Sequence, residues 1–449
     1  MVRIDSFLRS WQRPHLGVSL PVAACALLSW ACSSDPPPDV DVDDAGAPAQ
    51  DSSTEAATES DASAKPPFDP IDEPVTCAAE PCAIEIVAGE KHFCTRMSDG
   101  TVRCWGGASG AAVTALDGIA DATQLSAAGG TTCALLADGG VECWGRNDKG
   151  QLALGNDKPV SDGDDHPTPS SIKLPSAALR IDVGPSSACA VLESGEVWCW
   201  GDNSRKQLAR PTPTGIGWPA KAELDGLDVA RTAIGTYTGF ALTAEGALFS
   251  WGAVAGAEGS VSGRVSSLTP DARPFPVELA PVSSFAVSAT TVLPAALPDP
   301  ARGIGHACAV VGGEILCWGD SLKGAIGEGL PSLFVKPVRP ALANKQAWAR
   351  QVVAAGDITC VRLTDGTVEC TGDNARGALG TESGTALSFT FQPARNLTDH
   401  AVRLAASSQS ICAIVEGGSV LCWGSNEEGE LGQGTTDAEQ HATPVPVHF

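Results

Sequence analysis

Positive charge is scarce in this chain: 29 Lys and Arg stand against 53 Asp and Glu, and the formal net charge is -24. A surface that tracks a phosphate backbone needs clustered cations, so this balance argues against nucleic acid as a partner. Catalytic signatures are missing as well. No HExxH, GxSxG or P-loop pattern occurs. The 7 His do not cluster, and no catalytic residue, metal or cofactor is expected. Only 18% of residues are charged. What is plentiful is glycine (49) and proline (32), spread among short apolar runs, the composition of a turn-rich all-β protein.

Cysteine is abundant. Sixteen of them would have little structural use in a reducing compartment, which points to export. The N-terminus agrees: Arg3, Arg9 and Arg13 precede an apolar run, Leu16 to Ala31, too short to span a bilayer. Residues 1–32 read as a signal peptide, and SWACSSD at 29–35 resembles a bacterial lipoprotein cleavage site. That resemblance implies lipidation of Cys32, with Cys25 of VAAC as the alternative and an ordinary secreted protein cut near Ala31 as a third reading. It places the protein at the outer membrane of a Gram-negative bacterium, on the periplasmic face or the cell surface, with the lipid as its only membrane contact. Residues 33–76 carry twelve acidic residues against the single Lys65. Such a segment buries too little apolar surface to offset its ordering entropy, so it is expected to be a disordered tether. Cys77 and Cys82 then form a local disulfide loop at the entry to a domain that fills 77–449.

Within that domain one pattern recurs seven times, clearest as CALLADGGVECWG at 133–145. In CALLADGGVEC the midpoint falls on Asp138, leaving Gly139 at the left-handed position of a three-residue hairpin loop. Gly100, Gly195, Gly246, Gly366 and Gly418 fall at the same place. The copy from Cys308 to Cys317 is one residue shorter, and its midpoint falls between Gly312 and Gly313, a two-residue turn. Either way the two cysteines stay opposite, about 4.5–5.5 Å apart, within reach of a disulfide. The expected pairs are Cys94 with Cys104, Cys133 with Cys143, Cys189 with Cys199, Cys308 with Cys317, Cys360 with Cys370, and Cys412 with Cys422. Zinc is the rival, but structural zinc uses closely spaced pairs and four ligands. In the fourth copy both cysteines are replaced together, by Phe240 and Ser250.

Each hairpin is preceded by a short apolar segment ending in Gly89, Gly129, Gly184, Gly235, Gly303, Gly356 or, in the seventh, Ser407. Each Trp-Gly is followed by a turn-rich run such as GDNARGALG (372–380) and a proline-containing segment such as VKPVRPAL (335–342). Three to four strands per repeat and seven repeats predict an all-β, seven-bladed β-propeller with disulfide-stapled hairpins.

The combined pattern, G-x-x-H-x-C-A-L-x-x-D-G-x-V-x-C-W-G with the following N-x-x-G-x-L-G, resembles the regulator of chromosome condensation repeat over residues 84–449, particularly its cysteine-rich bacterial form. The resemblance implies blades of four strands and a loop-presenting face that binds proteins. It also leads us to expect ring closure by ATPVPVHF (442–449) docking beside Ile84 to Ala88. Guanine-nucleotide exchange does not carry over, because it depends on loop residues outside the repeat pattern. Three departures stand out: a short first repeat, a Pro-, Ala- and Ser-rich excursion at 253–302, and Thr371 where other repeats have Trp.

The expected function is a lipid-anchored interaction scaffold, with another protein or a polysaccharide as partner and the 253–302 insert as the first candidate contact. The alternative is a propeller enzyme, or a small-ligand or carbohydrate-binding protein, with its site in the central channel. His92 and His306 share one repeat position, as do Asp99, Asp138 and Asp365. Repetition marks all five as structural, and the Trp of the Trp-Gly pairs as packing residues.

Overall fold

In the computed structural model, which describes residues 65–155, 161–253, 261–264, 269–279, 281–288, 305–381 and 384–449, the period-two apolar pattern of each repeat folds into one four-stranded antiparallel sheet. Seven such sheets, each built from four strands consecutive in the chain, form the blades of a propeller. Cys25, Cys32 and the expected tether as far as residue 64 lie outside the described residues. We number the strands from the N-terminus. The innermost strands are β1 (Ala83–Ala88), β5 (Ala122–Ala128), β9 (Ala178–Val183), β13 (Val229–Ile234), β17 (Val282–Val287), β21 (Ala349–Ala355) and β25 (Ala401–Ala406).

Both faces of each blade are apolar, so the core lies between blades. Cys133, Val141 and Leu152 of blade 2, for example, pack on Ile181, Ala188 and Trp200 of blade 3. The hairpin glycines take the left-handed conformation the turn arithmetic requires, Gly139 at φ 82° and Gly312 and Gly313 at 58° and 82°. Cys133 stands directly opposite Cys143 and Cys308 opposite Cys317.

Two devices repeat around the disc. On the side where the inner strands begin, the turn glycine of one blade accepts a backbone N–H from the next, as in Gly139 O from Ala178 and Gly366 O from Ala401. On the opposite side, the Trp of the Trp-Gly pair donates to a carbonyl in the G-x-L-G loop of the preceding blade. Trp200 Nε1 reaches Gln151 O at 2.7 Å and Trp423 reaches Ala378 O at 2.9 Å. Where Thr371 replaces Trp, its hydroxyl donates to Gly324 O at 2.8 Å. There Phe391, from β24 (Leu387–Pro393), packs on Gly327 as Trp423 packs on Gly380 elsewhere.

Four expectations need correction. The C-terminal segment does not dock beside β1. Residues 442–446 end the outermost strand of blade 7, β28 (Asp437–Pro446), and β1 pairs within its own blade. The ring closes instead by blade-to-blade packing: Ala83, Phe93 and Trp105 meet Cys412, Leu431 and Val447, and Trp105 Nε1 donates to Glu430 O at 2.9 Å. Each blade already has four consecutive strands, so none needs completing.

Second, the described part of the excursion at 253–302 supplies two blade strands. It contains β16 (Asp271–Pro276), the outer strand of blade 4, and β17, the inner strand of blade 5. Third, Gly303 lies outside the described residues, and the bond expected at its position is made by Ser288, whose N–H donates to His306 O at 2.8 Å as Gly235 donates to Thr238 O. Residues 289–304 fall between the two. Fourth, the last twelve residues assigned to the tether, 65–76, lie on the propeller. They have no regular secondary structure, but their carboxylates and Phe68 find partners there.

Candidate binding site at the channel mouth

The seven inner strands enclose a central cavity of about 960 Å³. Its walls are cross-linked by the residues at the third and fifth positions of these strands, whose side chains bond to the backbone of the next blade. Gln124 accepts from Ile181 N and donates to Ile181 O. Gln351 makes the same pair of bonds with Leu404. Glu85 accepts from Leu125 N at 3.2 Å, Asp182 from Thr232 N at 2.8 Å, and Ser284 from Val352 N at 3.1 Å. These polar groups stand in for the sheet partner that the innermost edge of each blade lacks.

Arginines concentrate at one mouth, on the side where the inner strands begin. Arg180, Arg231 and Arg403 share the third position of their strands, and Arg350 precedes that position in β21. Two further arginines sit on the second strands of blades 1 and 6, each two residues after the first cysteine: Arg96 on β2 (Phe93–Met97) and Arg362 on β22 (Ile358–Leu363).

Blade 1 supplies Arg96 with a carboxylate, since Glu85 lies directly across the sheet and its Oε2 is 2.8 Å from Arg96 Nε. Burial raises the Glu85 pKa, and the Arg96 guanidinium opposes that rise. In blade 6 the residue across from Arg362 is the neutral Gln351. The carboxylates come from outside the blade. Asp72 and Glu73 of the 65–76 strap both pair with Arg362, Glu73 at 3.0 Å. Asp72 also reaches Arg403 at 3.1 Å and Glu73 reaches His400 at 3.1 Å.

Further along the strap, Trp348 Nε1 donates to Pro66 O at 2.6 Å, the Trp348 ring meets Phe68 edge-on, and Lys65 lies 4.0 Å above it. Arg350 donates to Ile71 O. Burial lowers the Arg362 and Arg231 pKa values. Nε of Arg231 and of Arg350 is buried with no hydrogen-bond partner among the described residues.

The residues singled out by spacing have architectural places. The six hairpin cysteine pairs are disulfide-bonded with Cα–Cα distances of 4.0–4.1 Å, and Cys77 is bonded to Cys82. His92 Nε2 lies 2.7 Å from Thr132 Oγ1 of the next blade and His306 Nε2 lies 2.6 Å from Thr359 Oγ1. Burial lowers both pKa values to about 4. Asp99, Asp138 and Asp365 accept backbone N–H groups two residues on. Asn147, Asn203, Asn374 and Asn426 each accept the N–H five residues on, inside the loop that caps the next Trp. Among the described residues no group of three or more His, Cys, Asp or Glu is placed to hold a metal. The arginine mouth is not legible in the cysteine spacing, although RID, ART and VRL repeat an arginine at one place in the apolar lead-in segment.

Models of the regulator of chromosome condensation (RCC1) repeat match residues 122–151, 180–207 and 401–430 in one form and 138–191 and 417–449 in another. The RCC1 domain-containing protein RUG3, mitochondrial, of Arabidopsis thaliana is 30% identical over 194 residues, 42% of this chain and 40% of that one. The mouse E3 ubiquitin-protein ligase HERC2 is 25% identical over 274 residues, 57% of this chain but 5% of its own length. The chain thus spans less than half the length of these relatives. Among solved structures, human WBSCR16 superposes with a TM-score of 0.60 at 19% identity, over 75% of this chain and 84% of that one. Yeast RCC1 (Prp20), solved with Kap60, gives 0.61 at 18% identity over 88% and 91%. At these identities the structural likeness speaks for the fold.

Proposed function

We propose that this chain, which belongs to the regulator of chromosome condensation repeat family, is an exported, lipid-anchored scaffold that binds another protein at the mouth of its propeller. One observation carries the reading: arginines converge on a single mouth of a stapled disc whose chain is strongly acidic. Charge gathered against the average of the molecule suits recognition of an acidic surface. Rigid blades hold those groups at little ordering cost on binding. Seven disulfides among the described residues suit an oxidising compartment and so support export. Lipidation of Cys32, or of Cys25, and a place at the outer membrane follow the sequence reading.

Enzymatic or small-ligand use of the channel is the alternative, and carbohydrate binding belongs with it. Glu85, Gln124, Asp182 and Gln351 are the polar groups best placed for either, and each is already bonded to a neighbouring strand. Five of the Trp-Gly tryptophans donate their indole N–H to a neighbouring carbonyl, which leaves them unsuited to stacking on a sugar.

The test is affinity capture by the intact chain from a cell-envelope fraction, followed by hydrogen exchange on the captured complex. Protection centred on the arginine-rich mouth is the expected result. Protection confined to the opposite mouth, or a captured small molecule in place of a protein, would overturn the reading. For the anchor, the mass of the mature N-terminus decides between lipidated Cys32, lipidated Cys25 and a free residue.

A further inference from the structure

The guanidinium of Arg362 is fully buried, with 0% of its side chain exposed, yet its carboxylate partners Asp72 and Glu73 are 41% and 38% exposed. A buried cation is costly unless paired, and here the pairing comes from a segment without regular secondary structure. Arg96 and Arg362 occupy equivalent positions, but only Arg96 has a carboxylate across its own sheet; opposite Arg362 stands Gln351. Arg403 is in the same state, since its only carboxylate partner among the described residues is Asp72. Blades 6 and 7 therefore present a cationic cleft that the propeller itself leaves unneutralised.

We infer that this cleft is a docking site for an extended acidic peptide and that residues 65–76 are its built-in occupant. The cleft reads two features of the strap. Trp348 takes the aromatic ring of Phe68 and the Pro66 carbonyl. Arg362, Arg403 and His400 take two consecutive carboxylates four and five residues further on. Between them Arg350 donates to the Ile71 backbone carbonyl, a contact that any residue type provides.

The partner's segment is therefore an aromatic residue followed at the fourth and fifth positions by Asp or Glu, bound in extended form. Ile71, 73% exposed between the two anchor points, adds little specificity. The strap is tied down at one end by the Cys77–Cys82 disulfide and the bridge from Cys77 to Gly417. At its other end the segment continues into residues 33–64. It competes from an effective concentration on the order of millimolar, so a partner must outbid it through tighter or multiple contacts. Pro70 and Asp72 also line the channel, so the same exchange opens that mouth.

This inference rests on the scaffold reading above but has its own test. A fluorescent peptide KPPFDPIDEPVT, the sequence of 65–76, is titrated into the full chain and into the full-chain variant D72N/E73Q, whose strap has lost its charge. The variant is expected to bind the peptide at least tenfold more tightly than the parent. Adding R403A should remove that gain, as should replacing the peptide's carboxylates by amides. Equal binding by variant and parent would overturn the inference, as would unchanged hydrogen-exchange protection of 65–76 in the variant. Should D72N/E73Q fail to fold, F68A serves instead. It removes the strap's ring from Trp348 and leaves every cation of the cleft in place, so it should likewise raise the affinity for the free peptide; no gain there counts against the site. A partner captured elsewhere on the arginine-rich mouth, with no peptide bound here, would leave the scaffold reading standing and this one refuted.

Discussion

Blade 4 is the one blade without a hairpin disulfide, and restoring the pair with F240C/S250C should destabilise the protein. Phe240 and Ser250 are directly opposed, so the bond should form. The cross-link, closing an eleven-residue loop, contributes at most about 3 kcal/mol in the chain-entropy model. Against it stands what the two residues now do. The buried Phe240 ring lies 5.0 Å from the ring of Phe285, which stacks on Trp318. Deleting it costs about 3–4 kcal/mol by analogy with other large core truncations.

Ser250 Oγ donates to Ser262 O at 2.8 Å and accepts from Arg264 Nε at 3.0 Å. Losing a bond to a charged group costs roughly 1.5–3 kcal/mol more. The net expectation is a loss on the order of 2–4 kcal/mol even with the bond intact. Mass spectrometry under non-reducing conditions establishes whether the bond has formed, and the urea midpoint followed by tryptophan fluorescence reads the stability. An oxidised variant more stable than the parent would refute the packing argument. A pair of thiols that never closes would refute the register.

Other expectations follow from the same contacts. T371W should cost about 1–3 kcal/mol through overpacking against Phe391, and T371W/F391A should recover most of it, read as urea midpoints. Trp200→Phe should cost about 1–3 kcal/mol by leaving the Gln151 carbonyl without its donor. His92 and His306 are held neutral in the fold, with pKa values of about 4 against an ordinary 6.5. The unfolded chain therefore takes up protons first as pH falls. Stability should drop progressively between pH 6.5 and pH 4, by up to roughly 3 kcal/mol per histidine, and H92Q should flatten part of that slope.

The architecture was legible because it is periodic. Seven copies of one hairpin fix the blade count, and a turn that shortens while its cysteines stay opposite fixes the register. What spacing did not reveal is carried by exceptions to the repeat. The arginine at the third inner-strand position appears in only three blades, at Arg180, Arg231 and Arg403, and its meaning depends on what lies across the sheet. Arg96 faces Glu85 and Arg362 faces Gln351, a difference visible only once the strands are paired. The strap was missed because composition averages over a segment. Asp72 and Glu73 look like two more tether acids until the cations that meet them are placed, and Phe68 looks incidental until Trp348 is beside it. The closure error had a related cause: an unmatched C-terminal strand suggests exchange, but four strands in every blade leave nothing to exchange.

How the ring holds together without a shared blade follows from the direction of its bonds. From blade 2 onward the loop after the Trp-Gly position caps the Trp of the following blade, or Thr371 in blade 6. In six blades the hairpin-turn glycine accepts the first inner-strand N–H of the following blade, Gly195 of blade 3 making no such bond among the described residues. Blade 7 does both for blade 1: Glu430 O receives Trp105 Nε1 and Gly418 O receives Ala83 N. Blades 7 and 1 thereby meet by the same kinds of contact as other neighbouring blades. The short first repeat interrupts the series, because blade 1 ends in the two-residue strand β4 (Thr114–Ala115) and has no G-x-L-G loop to offer Trp144. The seam between blades 1 and 2 therefore depends on its other links: His92 to Thr132, Glu85 to Leu125 N, Glu90 N to Gly129 O, and Gly100 O to Ala122 N. Two of these four depend on an ionisable side chain, and acid weakens both, since protonation puts a charge on the buried His92 and discharges Glu85. Acid opening should accordingly begin at this seam, with amide exchange on β5 rising before that on β9 or β25 as pH falls through 4.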